Sequence, residues 1–249
     1  MFRHKGNART FNHNFRLAAF LSFVAGLVNI CGVLALGELT TNVTGHFAYL
    51  AEGVLNIDNF FGTYFLLYIV AFFAGSFISS LLIEYFILKK GKTPHSLPLL
   101  LEMLILLLVG MYGAALIDSG FDKRLIAICL LFAMGLQNSL VSKVSNSAVR
   151  TTHLTGLFTD LGIELSQLFF FKEKAQRRKL LHSIGLRLAI VAFFFTGCII
   201  GGSIFIKIHF KTLIIASLIL FMTFVYDNIL LSFYKIRKNL NSKKSPDHI

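Results

Sequence analysis

The chain has 249 residues, of which 55% are hydrophobic and only 14% are charged, and its mean hydropathy is +0.72. The hydrophobic share exceeds that of a typical soluble domain, and the charged share falls well below it. This composition excludes a soluble globular domain and predicts a helical protein that crosses a membrane several times.

Six apolar stretches are each long enough to cross the hydrocarbon core of a bilayer, which takes about 20 helical residues. In chain order they are Leu17–Leu36, Phe60–Leu88, Leu97–Ile117, Leu125–Val141, Ile184–Ile206 and Thr212–Phe233. A long basic arm precedes the first stretch and no small-residue cleavage site follows it, so we expect a retained helix rather than a signal peptide.

The net charge of +12 comes from Lys and Arg residues at the ends of the apolar stretches. No basic face carries the interleaved aromatics that stack on bases, so we expect no nucleic acid partner. With six crossings, the N-terminal arm, Lys89–His95, Ser142–Ser183 and the C-terminal tail share one side, and they hold most of the basic residues. The positive-inside rule therefore predicts that these segments and both termini are cytoplasmic.

Two related polar segments, Thr41–Gly45 (TNVTG) and Thr152–Gly156 (THLTG), lie between the apolar stretches. If both crossed the membrane, the basic loop KKGKTPH would move outside, so we expect each to enter the membrane and leave on the same side. Irregular backbone at membrane depth needs polar partners, which Thr hydroxyls supply, and Gly permits the turn. Half-helices that begin at Gly45 and Gly156 would point their positive N-terminal ends toward the midplane.

The two segments belong to a longer repeat. The block Gly26–Asn29 (GLVN) matches Gly135–Asn138 (GLQN), and Phe72–Ser76 resembles Phe194–Cys198 in the same order. Each half reads as a helix, a Thr-Gly segment and two further helices. Three crossings per half place the second half in the opposite orientation, which is a recurrent plan of transporters.

The predicted fold is therefore an all-α polytopic membrane protein with six transmembrane helices and two re-entrant half-helices, built as an inverted 3+3 repeat. The first repeat spans residues 17–120 and the second spans 121–235. A basic cytoplasmic arm, 1–16, and a basic cytoplasmic tail, 236–249, flank them.

The two convergent half-helix ends predict a polar binding site near the midplane. The candidate substrate-binding residues are Asn29, Thr44, Gly45, His46, Asn138, Thr155, Gly156 and Asp160.

Each polar candidate also has a structural interpretation. Asn29 and Asn138 can form hydrogen bonds between helices instead of contacting a ligand. Asp160 and Glu164 share one helix face at i, i+4 spacing, which suits a proton or cation site or a solvated face. For His46, a local hydrogen bond or a proton-responsive role is favoured over metal binding.

Motifs of enzymes and metal sites are missing from the sequence. It contains no H-E-x-x-H or H-x-x-x-H pair, no Gly-rich phosphate loop and no G-x-S-x-G elbow. The three cysteines all fall inside predicted spans and have no zinc or disulfide spacing. We therefore predict no enzymatic activity, no cofactor and no metal.

The segments AGLVNICGVLALGELTTNVTGHFAYLAEG and AMGLQNSLVSKVSNSAVRTTHLTGLFTDLG resemble the YoaK-type family of uncharacterised bacterial inner-membrane proteins, from about Phe15 to about Tyr234. The resemblance implies a bacterial polytopic protein, sometimes labelled a permease, and gives no substrate. Relatives often carry GxxDA in the first helix and TGN at the first turn, where this chain has Asn29 and His46. Proton coupling through an acid at the first position is therefore in doubt here.

The leading functional hypothesis is a transporter or permease for a small polar or anionic solute or an ion, with alternating access by rocking of one half against the other. The alternative is a non-transporting scaffold or lipid-binding protein whose basic loop KEKAQRRK contacts anionic headgroups. Membrane lipids are expected partners in both cases, and a homo-oligomer is compatible with either.

Overall fold

The structure, a computed structural model, describes residues 11–55, 59–90 and 96–226. Within them every regular element is helical, which confirms the predicted all-α class. The helices are α1 (Phe11–Leu36), α2 (Val43–Leu55), α3 (Asn59–Lys90), α4 (Ser96–Asp118), α5 (Lys123–Ser145), α6 (Leu154–Phe170), α7 (Lys174–Ile208) and α8 (212–226). The predicted tail, most of the N-terminal arm, the loop 91–95 and the end of the last predicted span lie outside the described residues.

Five helical stretches in the described residues are long and apolar enough to cross a membrane. They are Phe11–Leu36, Gly62–Lys89, Ser96–Asp118, Lys123–Ser145 and Lys174–Tyr226. The last has 53 residues, or roughly 80 Å of helix, whereas a bilayer core is about 30 Å thick. A 3-10 turn, His209–Lys211, divides this stretch into α7 and α8, and His209 has a positive φ of 50°.

The helices extend beyond the predicted apolar stretches at their polar ends. Helix α5 continues to Ser145, past the predicted end at Val141, and α7 begins at Lys174, well before Ile184. Hydrophobicity marks only the part of a helix that suits lipid, whereas backbone hydrogen bonding continues into the polar region.

Two parallel helix pairs form the centre of the molecule. Gly26 of α1 lies against the backbone of Phe194 in α7, and Gly135 of α5 lies against the backbone of Phe72 in α3. A Cβ atom at either glycine would overlap the facing carbonyl oxygen, so only glycine allows this approach. Helices α1 and α5 are the innermost, with 67% and 61% of their apolar windows buried, against 28% and 33% in α3 and α4.

The contacts fix the direction of each helix. We name the end where α1 begins the proximal end and the end where α1 finishes the distal end. Helix α7 runs with α1, because Phe11 stacks on His182 and Leu34 lies beside Gly202. Helix α4 ends distally, since Gly113 contacts Phe210 just after α7. Helices α3 and α5 therefore begin at the distal end and finish at the proximal end.

Helix α8 returns toward the proximal end. The Ser217 hydroxyl donates to the Met103 carbonyl of α4 over 2.9 Å, and the Arg16 guanidinium near the start of α1 donates to the Tyr226 hydroxyl over 3.3 Å. The chain therefore reverses at the 3-10 turn, and α8 runs antiparallel to both α7 and α4.

The short helices α2 and α6 each run antiparallel to the helix that follows. Tyr49 of α2 stacks on Phe65 of α3 at 4.9 Å between ring centroids, and Gly53 approaches Gly62 nearer the start of α3. Helix α6 packs on α7 through Arg187. Helix α2 therefore points toward the distal end and α6 toward the proximal end, while both begin in the interior.

Candidate functional site

A cavity of about 650 Å³ lies between the N-terminal ends of α2 and α6. Its size is in the usual range for small-molecule sites. It is lined by Asn29, Leu39, Thr41, Asn42, Val43, Thr44, Phe72, Asn138, Thr152, His153, Leu154, Thr155, Gly156, Thr159 and Phe194.

The start of α2 is positioned by two asparagines. The Asn29 amide oxygen accepts hydrogen bonds from the Thr41 hydroxyl at 2.9 Å and from the Thr41 backbone N–H at 3.3 Å. This draws the chain after α1 back into the bundle. The Asn42 amide oxygen then accepts from the Gly45 N–H at 3.3 Å, as an N-cap does, so α2 begins at Val43 rather than at the glycine.

The start of α6 is positioned from α5. The Asn138 amide donates to the Thr152 hydroxyl, and the buried Gln137 amide donates to the Thr151 hydroxyl at 3.2 Å and to the Leu21 carbonyl at 2.9 Å. Helix α6 begins at Leu154, and the His153 side chain makes no capping hydrogen bond to it.

Gly156 leaves room for the His153 ring above the first turn of α6. A Cβ atom at Gly156 would overlap that ring. The first N–H groups of an α-helix have no intrahelical acceptor, and those of α6 lack a side-chain cap from His153. A solute in the cavity could therefore accept hydrogen bonds from them.

Five of the eight predicted site residues line the cavity together. They are Asn29, Thr44, Asn138, Thr155 and Gly156. The structure places the other three outside the lining: Gly45 has its N–H capped by Asn42, and His46 and Asp160 face neighbouring helices.

His46 packs between α2 and α3. Its Nε2 lies 2.8 Å from the Leu39 carbonyl, and because that oxygen can only accept, Nε2 carries the proton. The ring lies 5.1 Å from the Tyr68 ring and 5.8 Å from the Phe65 ring, between centroids. His46 thus makes the local hydrogen bond that the sequence favoured, and it holds the loop before α2.

Asp160 and Glu164 both contact Arg187 of α7. The Arg187 Nη2 atom lies 3.3 Å from Asp160 Oδ2 and 3.0 Å from Glu164 Oε1. The Ser183 hydroxyl also donates to Glu164 at 2.7 Å. The carboxylates share one face, as their spacing predicts, and that face attaches α6 to α7.

The electrostatics of the cavity favour a neutral polar or negative occupant. None of the described residues that line it is Asp, Glu, Lys or Arg. The N-terminal ends of two helices carry partial positive charge of about half a unit each. Asn and Thr side chains supply further hydrogen-bonding groups.

A separate polar cluster stabilises the distal starts of α3 and α5. Asp122 caps α5 by accepting from the Arg124 N–H at 2.9 Å, and it accepts from the Tyr64 hydroxyl at 2.8 Å. The hydrogen bond from Arg124 and then that from Tyr64 lower the pKa of the Asp122 carboxyl. The Arg124 guanidinium lies over the Tyr64 ring, 4.5 Å from its centroid.

Among the described residues, no group of three or more His, Cys, Asp or Glu side chains is arranged to hold a metal ion. The absence of a metal or cofactor requirement remains a prediction.

Several lining residues were missed in the sequence analysis. Thr41, Asn42, Thr152 and His153 all belong to the two Thr-Gly segments, so the motif itself contained the signal. Phe72 and Phe194 come from α3 and α7, and nothing in their local sequence distinguishes them from the other phenylalanines.

Comparison with known proteins gives a family and a transmembrane relative. The family described as "Protein of unknown function (DUF1275)" matches residues 17–226. The chain is 26% identical over 195 residues to the UPF0700 transmembrane protein YoaK of Bacillus subtilis (strain 168), an alignment that covers 74% of this chain and 80% of that protein.

No solved structure matches the chain. The relative and the apolar helices identify a multi-pass membrane protein, and they confirm the resemblance to the YoaK-type family. The match over residues 17–226 shows that the chain belongs to the DUF1275 family.

Proposed function

We propose that this protein is a transporter or permease of the bacterial inner membrane, and that it binds a small polar or anionic solute in the cavity between α2 and α6. The observation that carries the proposal is the convergence of two helix N-termini, from opposite directions, on one cavity. Interior sites formed by interrupted helices are a recurrent feature of secondary transporters.

In the proposed topology, α1, α3, α4, α5, α7 and α8 cross the membrane and α2 and α6 are re-entrant. The 3-10 turn supports separate crossings for α7 and α8, because a 53-residue helix is too long for one bilayer. The 13 residues of α2 and 17 of α6 are short for a full crossing. Both termini are cytoplasmic in this topology, as the positive-inside rule predicts.

Equivalent helix contacts support an inverted repeat. Under the repeat, Gly26 corresponds to Gly135, and Phe194 corresponds to Phe72. Gly26 lies against the backbone of Phe194, and Gly135 lies against the backbone of Phe72. The two contacts each join one half to the other through a parallel helix pair, and the repeat exchanges one contact for the other.

The starts of the half-helices obey the same correspondence. Asn29 is bonded to Thr41 before α2, and Asn138 is bonded to Thr152 before α6. Two chance matches of sequence would not be expected to place equivalent side chains in equivalent contacts.

A matched pair of substitutions on α6 tests the transport proposal. Gly156→Leu adds a side chain beside His153 in the cavity wall, whereas a Cβ atom at Gly162 meets nothing within 4 Å. The proposal predicts uptake by wild-type and Gly162→Leu proteoliposomes, and at least about tenfold slower uptake by Gly156→Leu. Radiolabelled acetate, inorganic phosphate and glycerol serve as anionic and neutral probes.

The lipid-binding alternative has its own structural support. Lys174, Arg177, Arg178 and Lys179 are exposed at the start of α7, and Phe169 at the end of α6 is 86% exposed. Such a surface suits the anionic headgroup region. If neutralising the four basic residues abolishes function while Gly156→Leu has no effect, this alternative replaces the transport proposal.

A further inference from the structure

A second cavity of about 340 Å³ adjoins the first. The two share Phe72, Asn138 and His153, whose side chains form the boundary between them. The second cavity is lined by Phe72, Ser76, Asn138, Ser139, Ser142, Arg150 and His153. Because Ser142 lies near the proximal end of α5, this second cavity lies on the proximal side of the central site.

The wall of this passage carries one unpaired positive charge. Arg150 is exposed in the segment between α5 and α6, and no carboxylate in the described chain forms an ion pair with its guanidinium. None of the described residues that line either cavity is Asp or Glu. An Arg without a counter-charge beside a polar passage attracts anions and repels cations.

The corresponding positions in the first half of the chain are apolar. At the repeat offset of 109, Ser142 corresponds to Val33, and at the offset of 111, Arg150 corresponds to Leu39. At these two positions, therefore, only the second half of the chain carries a hydroxyl and a guanidinium group. This difference within the repeat is what a selective entrance on one side requires, and packing alone does not require it.

We propose that the passage lined by Ser139, Ser142 and Arg150 is the proximal entrance to the central cavity and that it selects small anions. This inference rests on the proposed transport function, and it narrows the solute class from polar or anionic to anionic. Arg150 acts as a specificity residue, because its charge raises the local concentration of anions before they reach the helix N-termini.

Charge-selective labelling of introduced cysteines tests this entrance without any transport. The protein is first freed of native thiols by Cys31→Ala, Cys129→Ala and Cys198→Ser, and Ser142→Cys is then added. Detergent-purified protein is treated with sulfonate-bearing (anionic) or trimethylammonium-bearing (cationic) methanethiosulfonates. The labelling rate of each reagent is divided by the rate at which the same reagent reacts with a small free thiol in solution, so that differences in intrinsic reactivity cancel.

The inference predicts faster relative labelling by the anionic reagent. One charge about 7 Å away in a water-like medium changes the local concentration of a monovalent ion by roughly threefold. Arg150→Gln should therefore lower the anionic-to-cationic rate ratio by about five- to tenfold, because the two reagents respond in opposite directions. Arg150→Lys should retain the ratio, and so should Arg177→Gln, which removes an exposed charge outside the cavity lining.

An unchanged ratio in Arg150→Gln would overturn the inference, as would faster labelling by the cation. If neither reagent labels Ser142→Cys or Ser139→Cys, and both proteins are monodisperse, no such passage exists. Retained charge selectivity without uptake in proteoliposomes contradicts only the transport proposal. Uptake without charge selectivity contradicts only the anion entrance.

Discussion

The closest helix contacts make a quantitative prediction at Gly26. A Cβ atom there would overlap the Phe194 carbonyl oxygen and lie 2.9 Å from its carbonyl carbon, whereas carbon atoms pack at about 3.5–4.0 Å. Helices α1 and α7 must therefore separate by about 1 Å in Gly26→Ala. The obstacle is backbone, which cannot rotate away, so the cost should reach about 2–3 kcal/mol, the upper part of the range for overpacking.

Thermal unfolding in detergent measures this cost. A loss of about 2–3 kcal/mol corresponds to a midpoint lower by about 4–12 °C for a chain of this size. The chain has no Trp, so a thiol-reactive dye is a suitable probe. All variants carry Cys129→Ala and Cys198→Ser, because Cys129 is exposed and Cys198 is half-buried, so that the dye reports exposure of the buried Cys31. Gly162→Ala is the matched control, since it adds the same methyl group in open space and improves helix propensity. A Gly26→Ala midpoint equal to that of the control would refute the packing argument.

Two further predictions concern electrostatic contacts. Arg187→Gln should lower the free energy of unfolding by about 1–3 kcal/mol and increase hydrogen exchange in α6, because it leaves the mostly buried Glu164 without its cation. Lys143→Gln, which removes an exposed ion pair, should lower the free energy of unfolding by less than about 1 kcal/mol. Equal losses in the two variants would contradict the assigned role of Arg187. The stabilisation by Asp122 should be present at neutral pH and be lost as the pH falls through the lowered pKa of its carboxyl, below about pH 4. The difference in unfolding free energy between wild type and Asp122→Asn should therefore shrink only in that acidic range.

The sequence predicted the broken-helix segments because their chemistry is restricted. A Thr-x-x-Thr-Gly segment in so apolar a chain needs polar partners inside the protein. Asn29 accepts from the Thr41 backbone N–H and Asn42 accepts from that of Gly45, while Asn138 donates to the Thr152 hydroxyl. Under the proposed repeat, the pairing of one asparagine with its threonine implies the pairing of the other. The cavity between the two segments is therefore a consequence of residues visible in the sequence.

Spacing fixes the face of a helix but does not identify the neighbour that the face meets. Thr155 and Thr159 are four residues apart and both line the cavity, whereas Asp160 is turned about 100° from Thr159 and meets Arg187 instead. His46 lies about 200° around α2 from Thr44, so it faces α3. The partner helix depends on contacts distant in sequence, which periodicity does not contain.

The way the two halves interlock bears on how the cavity could open. The first helix of each half packs on the third helix of the other half. Gly26 holds α1 to α7, and Gly135 holds α5 to α3. Rocking one sequence half against the other, as the repeat suggested, would break both close contacts. The bodies that can move without this cost are α1 with α6 and α7, and α5 with α2 and α3. Each body then contains helices from both halves and one half-helix N-terminus, and the cavity lies between them, crossed by the bonds from Asn29 and Asn138. Under the proposed transport function, alternating access should therefore be a motion between these two bodies, across the boundary that the asparagine bonds span.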